Sequence, residues 1–280
     1  MHWNFPFTAV QILWILTFAA HLVLLVVLLG RERTKRFPWF TASIALAALR
    51  LVSSRLLYGR IPQITMGEIF ITMADISAVI DVLVVVEMAR RGFKGAQKKW
   101  WITFTASLLI VGGGVLFFWG PWPQWKAVTA NGLLAHLTLM QVMAQKMTLL
   151  TDVLTIGLGV LVLLLGRRFG SSWHSHVQRI VIGLMTAAIS QLALQGIRGW
   201  IAKNAMPHSQ AEYERLIGLF DKLMNANNAV YLLVLVWWIV CLWIEDPGEK
   251  ATAQAALDSN IASTKGSDLQ GSSAGEQAHS

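Results

Sequence analysis

Thr8–Leu29 reads TAVQILWILTFAAHLVLLVVLL, a run with no Asp, Glu, Lys or Arg in which Gln11 and His21 are the only strongly polar side chains. At 1.5 Å of rise per residue a helix of this length crosses a hydrocarbon core about 30 Å thick. A strand is excluded, because lipid offers no partner for an open sheet edge. Six further apolar runs follow: Trp39–Tyr58, Met66–Met88, Trp101–Trp119, Lys146–Gly166, Ile180–Trp200 and Met224–Ile244. The pattern predicts an all-α integral membrane protein, a bundle of seven transmembrane helices. Pro6, Pro38, Pro62, Pro121, Pro123, Pro207 and Pro247 all lie between or beyond the runs, which predicts unkinked helices.

Composition agrees. Of 280 residues 55% are hydrophobic and 14% charged, with a mean hydropathy of +0.54; a soluble domain carries roughly 25% charged residues. Soluble enzymes, disulfide scaffolds, coiled coils and disordered chains are excluded. Cys241 is the single cysteine, so no disulfide forms within the chain.

Basic residues give the orientation. Arg31, Arg33, Lys35 and Arg36 share one side with Arg90, Arg91, Lys94, Lys98 and Lys99 and with Arg167, Arg168 and Arg179. The bias predicts a cytoplasmic C-terminus and an N-terminus outside, in the plasma membrane; the absence of any Asn-x-Ser/Thr sequon favours a bacterial inner membrane. The first span lacks the basic n-region of a secretory signal and is expected to be retained. The net charge of +8 then reflects topology over an anionic leaflet rather than nucleic-acid binding. Residues 1–246 form the transmembrane domain, and the Ala/Ser/Gln/Gly-rich segment 247–280 is expected to be a disordered cytoplasmic tail. Between spans, Val128–Gln145 is read as an outward extension of the fifth helix or an interfacial segment.

Polar residues inside a membrane are the default place to look for function, and here they recur at helical spacing. Arg50, Ser54 and Tyr58 lie on the second span; Glu68, Thr72 and Asp75 on the third; Gln141, Gln145, Thr148, Asp152 and Thr155 on the fifth. Gln191, Gln195 and Arg198 lie on the sixth, and Asp221, Asn225 and Asn228 on or just above the seventh. Spacings of three, four and seven put each set on one helix face. All sit in the outer half, so convergence would create a vestibule entered from outside and closed below by apolar side chains. Arg50 and Arg198 suit a carboxylate or phosphate; Glu68, Asp75, Asp152 and Asp221 suit an amine or exchangeable protons. The alternative is that these groups pair with one another and hold the helices together. Deeper, His21 and Asp81 lie at similar depth and form a candidate proton relay.

Seven spans invite comparison with retinal pigments, but the middle of the last span, Ala229–Val236, has no lysine for a Schiff base. His174 and His176 lack a carboxylate or cysteine neighbour, no zinc-hydrolase or serine-hydrolase motif occurs, and no metal, cofactor or catalytic set is expected. Gly112–Gly114, Gly157 and Gly159 are read as close helix contacts. The expectation is a receptor-like or sensory protein that lies in the lipid bilayer, binds a small polar ligand from outside and signals to a cytoplasmic partner at its basic loops. A secondary transporter, proton-coupled through Asp75, Asp81, Asp152 and His21, is the first alternative; a structural or assembly subunit is the second.

Overall fold

A computed structural model describes residues 8–93, 106–107, 110–114, 116–118, 133–165, 175–204 and 209–244. They form an all-α, multi-pass membrane bundle with six long apolar helices. These are α1 (Ala9–Gly30), α3 (Pro38–Leu57), α4 (Gln63–Gly92), α5 (Leu133–Leu165), α6 (His176–Asn204) and α7 (Gln210–Trp243); α2 (Arg33–Arg36) is a single turn between α1 and α3. The expected span Trp101–Trp119 lies mostly outside the described residues, although its described parts are helical. The tail 247–280 and His174 also lie outside them.

Local chemistry sets the helix ends. Thr8 and Gln11 form a reciprocal capping box at the start of α1, satisfying amides that have no partner within the helix. Ser209 does the same for α7 by accepting from the Glu212 amide. Pro38 opens α3 at a position where no amide hydrogen is needed. Gly59, in the turn between α3 and α4, has φ +72°, a left-handed conformation that favours glycine. The polar stretch before Lys146 belongs to α5, which runs unbroken from Leu133.

Each long helix packs against its neighbours in sequence, and α7 closes on α1, so the six form a ring. Apolar side chains such as Val26, Leu29, Leu164, Leu233 and Trp243 cover the outside, as lipid contact requires. One half of the ring is filled. Leu24 and Leu28 of α1, Phe40 of α3, Met88 of α4, Leu158 and Val162 of α5, Ile180 of α6 and Trp238 and Leu242 of α7 are almost wholly buried in one cluster. It occupies the end of the bundle that holds Arg31–Arg36, Arg90, Arg91 and Arg179.

Two details fix this basic end. Glu87 is buried and accepts from the Phe40 amide at 3.2 Å, supplying from α4 the cap that α3 lacks. Arg91 completes the arrangement with Nη2 at 3.4 Å from Glu87 and its guanidinium 5.1 Å from the centre of the buried Phe37 ring. On the other side of the ring, Trp238 meets Phe40 edge-on with centroids 5.1 Å apart. It lies so close to Gly183 that a Cβ there would collide with the indole.

Candidate functional site

The other half of the ring is hollow. A cavity of about 650 Å³ is lined from all six long helices, and a second of about 660 Å³ adjoins it between α3, α4, α5 and α6. Arg50, Ser77, Asp81, Thr148 and Gln191 belong to both. Towards the end away from the basic loops the lining becomes solvent-accessible at Gln141, Gln145 and Arg198. Towards the basic end it terminates on Phe40, Val84, Val85 and Trp238, all buried. Among the described residues the hollow is accessible on the side away from the basic loops and has an apolar floor on the other.

Thirteen of the residues singled out from sequence line it, Ser54, Gln141, Thr148 and Thr155 among them. Arg50, Asp152, Gln191, Asn228, His21 and Asp81 belong to the first cavity, and Gln145, Gln195 and Arg198 to the second. Glu68, Thr72, Asp75, Asp221 and Asn225 line neither. On α4 the reason is helix phase; on α7 it is position along the helix, since Asp221 and Asn225 share the face of Asn228. On α4 the wall is made by Phe70, Ser77 and Asp81, a different face from Glu68, Thr72 and Asp75, and Thr72 spends its hydroxyl on the Glu68 carbonyl at 2.8 Å. On α7 the wall is Asn227, Asn228, Tyr231 and Trp238, while Asp221 lies on the exposed extension of the helix.

His21 and Asp81 line the same cavity without bonding to each other. His21 is fully buried, its Nδ1 2.7 Å from the Thr17 carbonyl and its Nε2 3.0 Å from the Tyr231 hydroxyl. A carbonyl only accepts, so the hydrogen sits on Nδ1 and the neutral ring accepts from Tyr231 at Nε2. Asp81 accepts instead from Ser43 at 2.8 Å and is attracted by Arg50. Asp152 lies within electrostatic reach of Asp81, and its Oδ2 is buried with no hydrogen-bond partner among the described residues. Across the cavity, Ser190 donates to Asn227 at 2.7 Å and Asn227 donates to Gln191 at 3.0 Å, joining α6 to α7.

Ser43, Thr151, Ser190, Asn227 and Tyr231 are wall residues that the sequence reading passed over. Ser43 stands seven residues before Arg50, and Tyr231 four after Asn227; both spacings were visible. Lys146, at the edge of its expected span, is buried and donates to the Leu116 carbonyl at 3.2 Å, tying α5 to the described part of the fourth span. The close-contact reading of the glycines fits Gly112, which faces Leu150 and Leu154, and Gly159, which faces Met185, but not Gly113 or Gly114, where a Cβ meets nothing within 4 Å.

Among the described residues no group of three or more His, Cys, Asp or Glu side chains is placed to hold a metal ion. The chain matches no protein-family model, no curated protein and no solved structure.

Proposed function

We propose that the protein is a receptor-like or sensory membrane protein that binds a small polar molecule in the vestibule and passes a helix displacement to a partner at its basic end. The carrying observation is the shape of the hollow: six helices contribute to one chamber, open at one end and sealed at the other by a packed apolar cluster. Its volume falls in the range of small-molecule sites. The unpartnered Asp152 oxygen weighs against a purely structural bundle, in which interior polar groups would satisfy one another.

The floor supplies a route for the signal. Trp238 lines the cavity and donates to the Ile180 carbonyl at 3.3 Å; Trp237 donates to the Arg179 carbonyl at 3.3 Å, and Arg179 donates to the Cys241 carbonyl at 3.3 Å. A ligand pressing on the indole would therefore act directly on the start of α6, which carries Arg179. In this reading the chain has seven spans, the mouth and N-terminus face outside, and the basic end meets the partner in the cytoplasm.

The test is accessibility from each face. In a Cys241→Ser background in sealed vesicles, Gln191→Cys and Asn228→Cys should react with a membrane-impermeant thiol reagent added outside and not with reagent confined within. Reaction from both faces would replace the receptor by a transporter with alternating access. Reaction from neither would return the polar stripes to helix packing.

A further inference from the structure

The hydrogens lining the vestibule are unevenly committed. Thr148 and Thr151 donate to the Ala144 and Met147 carbonyls of their own helix, and Ser54 donates to the Leu51 carbonyl. Ser43 donates to Asp81, Ser190 to Asn227 and Tyr231 to His21. A hydroxyl has one hydrogen and two lone pairs. Six hydroxyls of the cavity wall have thus used their hydrogen on the protein and retain only lone pairs for a guest. Asp81 and Asp152 add two carboxyl groups, one with an oxygen that is buried and unpartnered. Of the guanidinium donors, Arg198 lines only the second cavity, whereas Arg50 lines both and is attracted to Asp81.

Resting on the vestibule reading above, we propose that the inner chamber seats a primary ammonium group of a small organic molecule between Asp81 and Asp152. An ammonium has three hydrogens to donate and no lone pair, the complement of the spent hydroxyls and the two carboxyl groups of this wall. Among the described residues no third His, Cys, Asp or Glu side chain joins the two to hold a metal ion, which favours an organic cation. Arg198, in the second cavity, faces whatever the molecule carries at its other end and favours an acidic or strongly polar group there, while Arg50 shares Asp81 with the ammonium.

The experiment uses charged thiol reagents as probes of the chamber. The full chain with Cys241→Ser and Asn228→Cys is purified in detergent, and labelling rates are measured for the aminoethyl, trimethylammonioethyl and sulfonatoethyl methanethiosulfonates. Each rate is divided by that of the same reagent with a free thiol in solution. The aminoethyl reagent should react about tenfold faster than the sulfonate after this correction, the scale on which a charged cleft concentrates counter-ions. It should also exceed the trimethylammonioethyl reagent, which has the charge and no N–H. Asp152→Asn and Asp81→Asn should bring the ratios close to one, and Asp152→Glu should restore them, with an unchanged elution profile showing that each variant is folded. Equal or faster reaction of the sulfonate, or ratios unmoved in both asparagine variants, would overturn the ammonium site and leave the vestibule standing. No reaction with any reagent would overturn both.

Discussion

His21 of α1 and Tyr231 of α7 are 210 positions apart in sequence and share a 3.0 Å hydrogen bond at the wall of the vestibule. His21 is held in turn by the Thr17 carbonyl, so its ring cannot rotate to find another donor without losing that bond. This pair joins the first helix of the bundle to the last.

Tyr231→Phe keeps the ring and removes the hydroxyl, leaving His21 Nε2 buried without its donor. The expected loss is about 1–2 kcal/mol, the cost of an unsatisfied buried polar atom. A double-mutant cycle with His21→Phe, read by thermal denaturation in detergent, should give a coupling of about 0.5–1.5 kcal/mol. A coupling indistinguishable from zero would show that the bond contributes nothing to closing the ring.

Gly183→Ala tests the floor. The added methyl meets the Trp238 indole, a rigid ring already packed against Phe40, and overpacking of this kind costs about 1–3 kcal/mol. Gly196, where a Cβ meets nothing, is the control: Gly196→Ala should be neutral or slightly stabilising, as a helical glycine replaced by alanine gains about 1 kcal/mol at most. The two variants should separate clearly in melting temperature.

Glu87→Gln and Glu87→Ala distinguish capping from charge. Glutamine retains an oxygen for the Phe40 amide and should lose only the attraction of Arg91. Alanine leaves the start of α3 without an acceptor and should cost about 1–2 kcal/mol more than glutamine. If the two variants melt together, the ion pair rather than the cap is what Glu87 contributes.

Depth within the ring gives a fourth prediction. In the Cys241→Ser background, cysteines at Gln191 and Asn228 should be labelled by an aqueous thiol reagent, while one at Leu242, fully buried in the apolar cluster, should resist it. Equal reactivity at all three positions would mean that the cluster does not seal the chamber.

The six described spans were legible because membrane helices announce themselves by length and hydropathy alone. Helix ends were less so: α4, α6 and α7 run several residues beyond their apolar runs, carried by caps and by packing that hydropathy does not record. The polar faces of α3, α5 and α6 were found because each helix has one such face and it turns inward. On α4 there are two. Glu68, Thr72 and Asp75 make the more populous polar set, yet Ser77 and Asp81 face the vestibule. Periodicity counts faces and is silent on which one the neighbours claim. Ser43, Thr151 and Ser190 were missed for a related reason, since serine and threonine are common in membrane helices as packing residues.

Because α7 packs against α1, the chamber has no complete wall until the last helix is in place. During biosynthesis the earlier helices enter the bilayer first. Arg50, Asp81 and Asp152 must then wait beside lipid, or beside one another, for the arrival of Asn227, Asn228 and Tyr231. A chain halted before α7 would therefore be an open trough, its polar side lacking the wall that Asn227, Asn228 and Tyr231 supply.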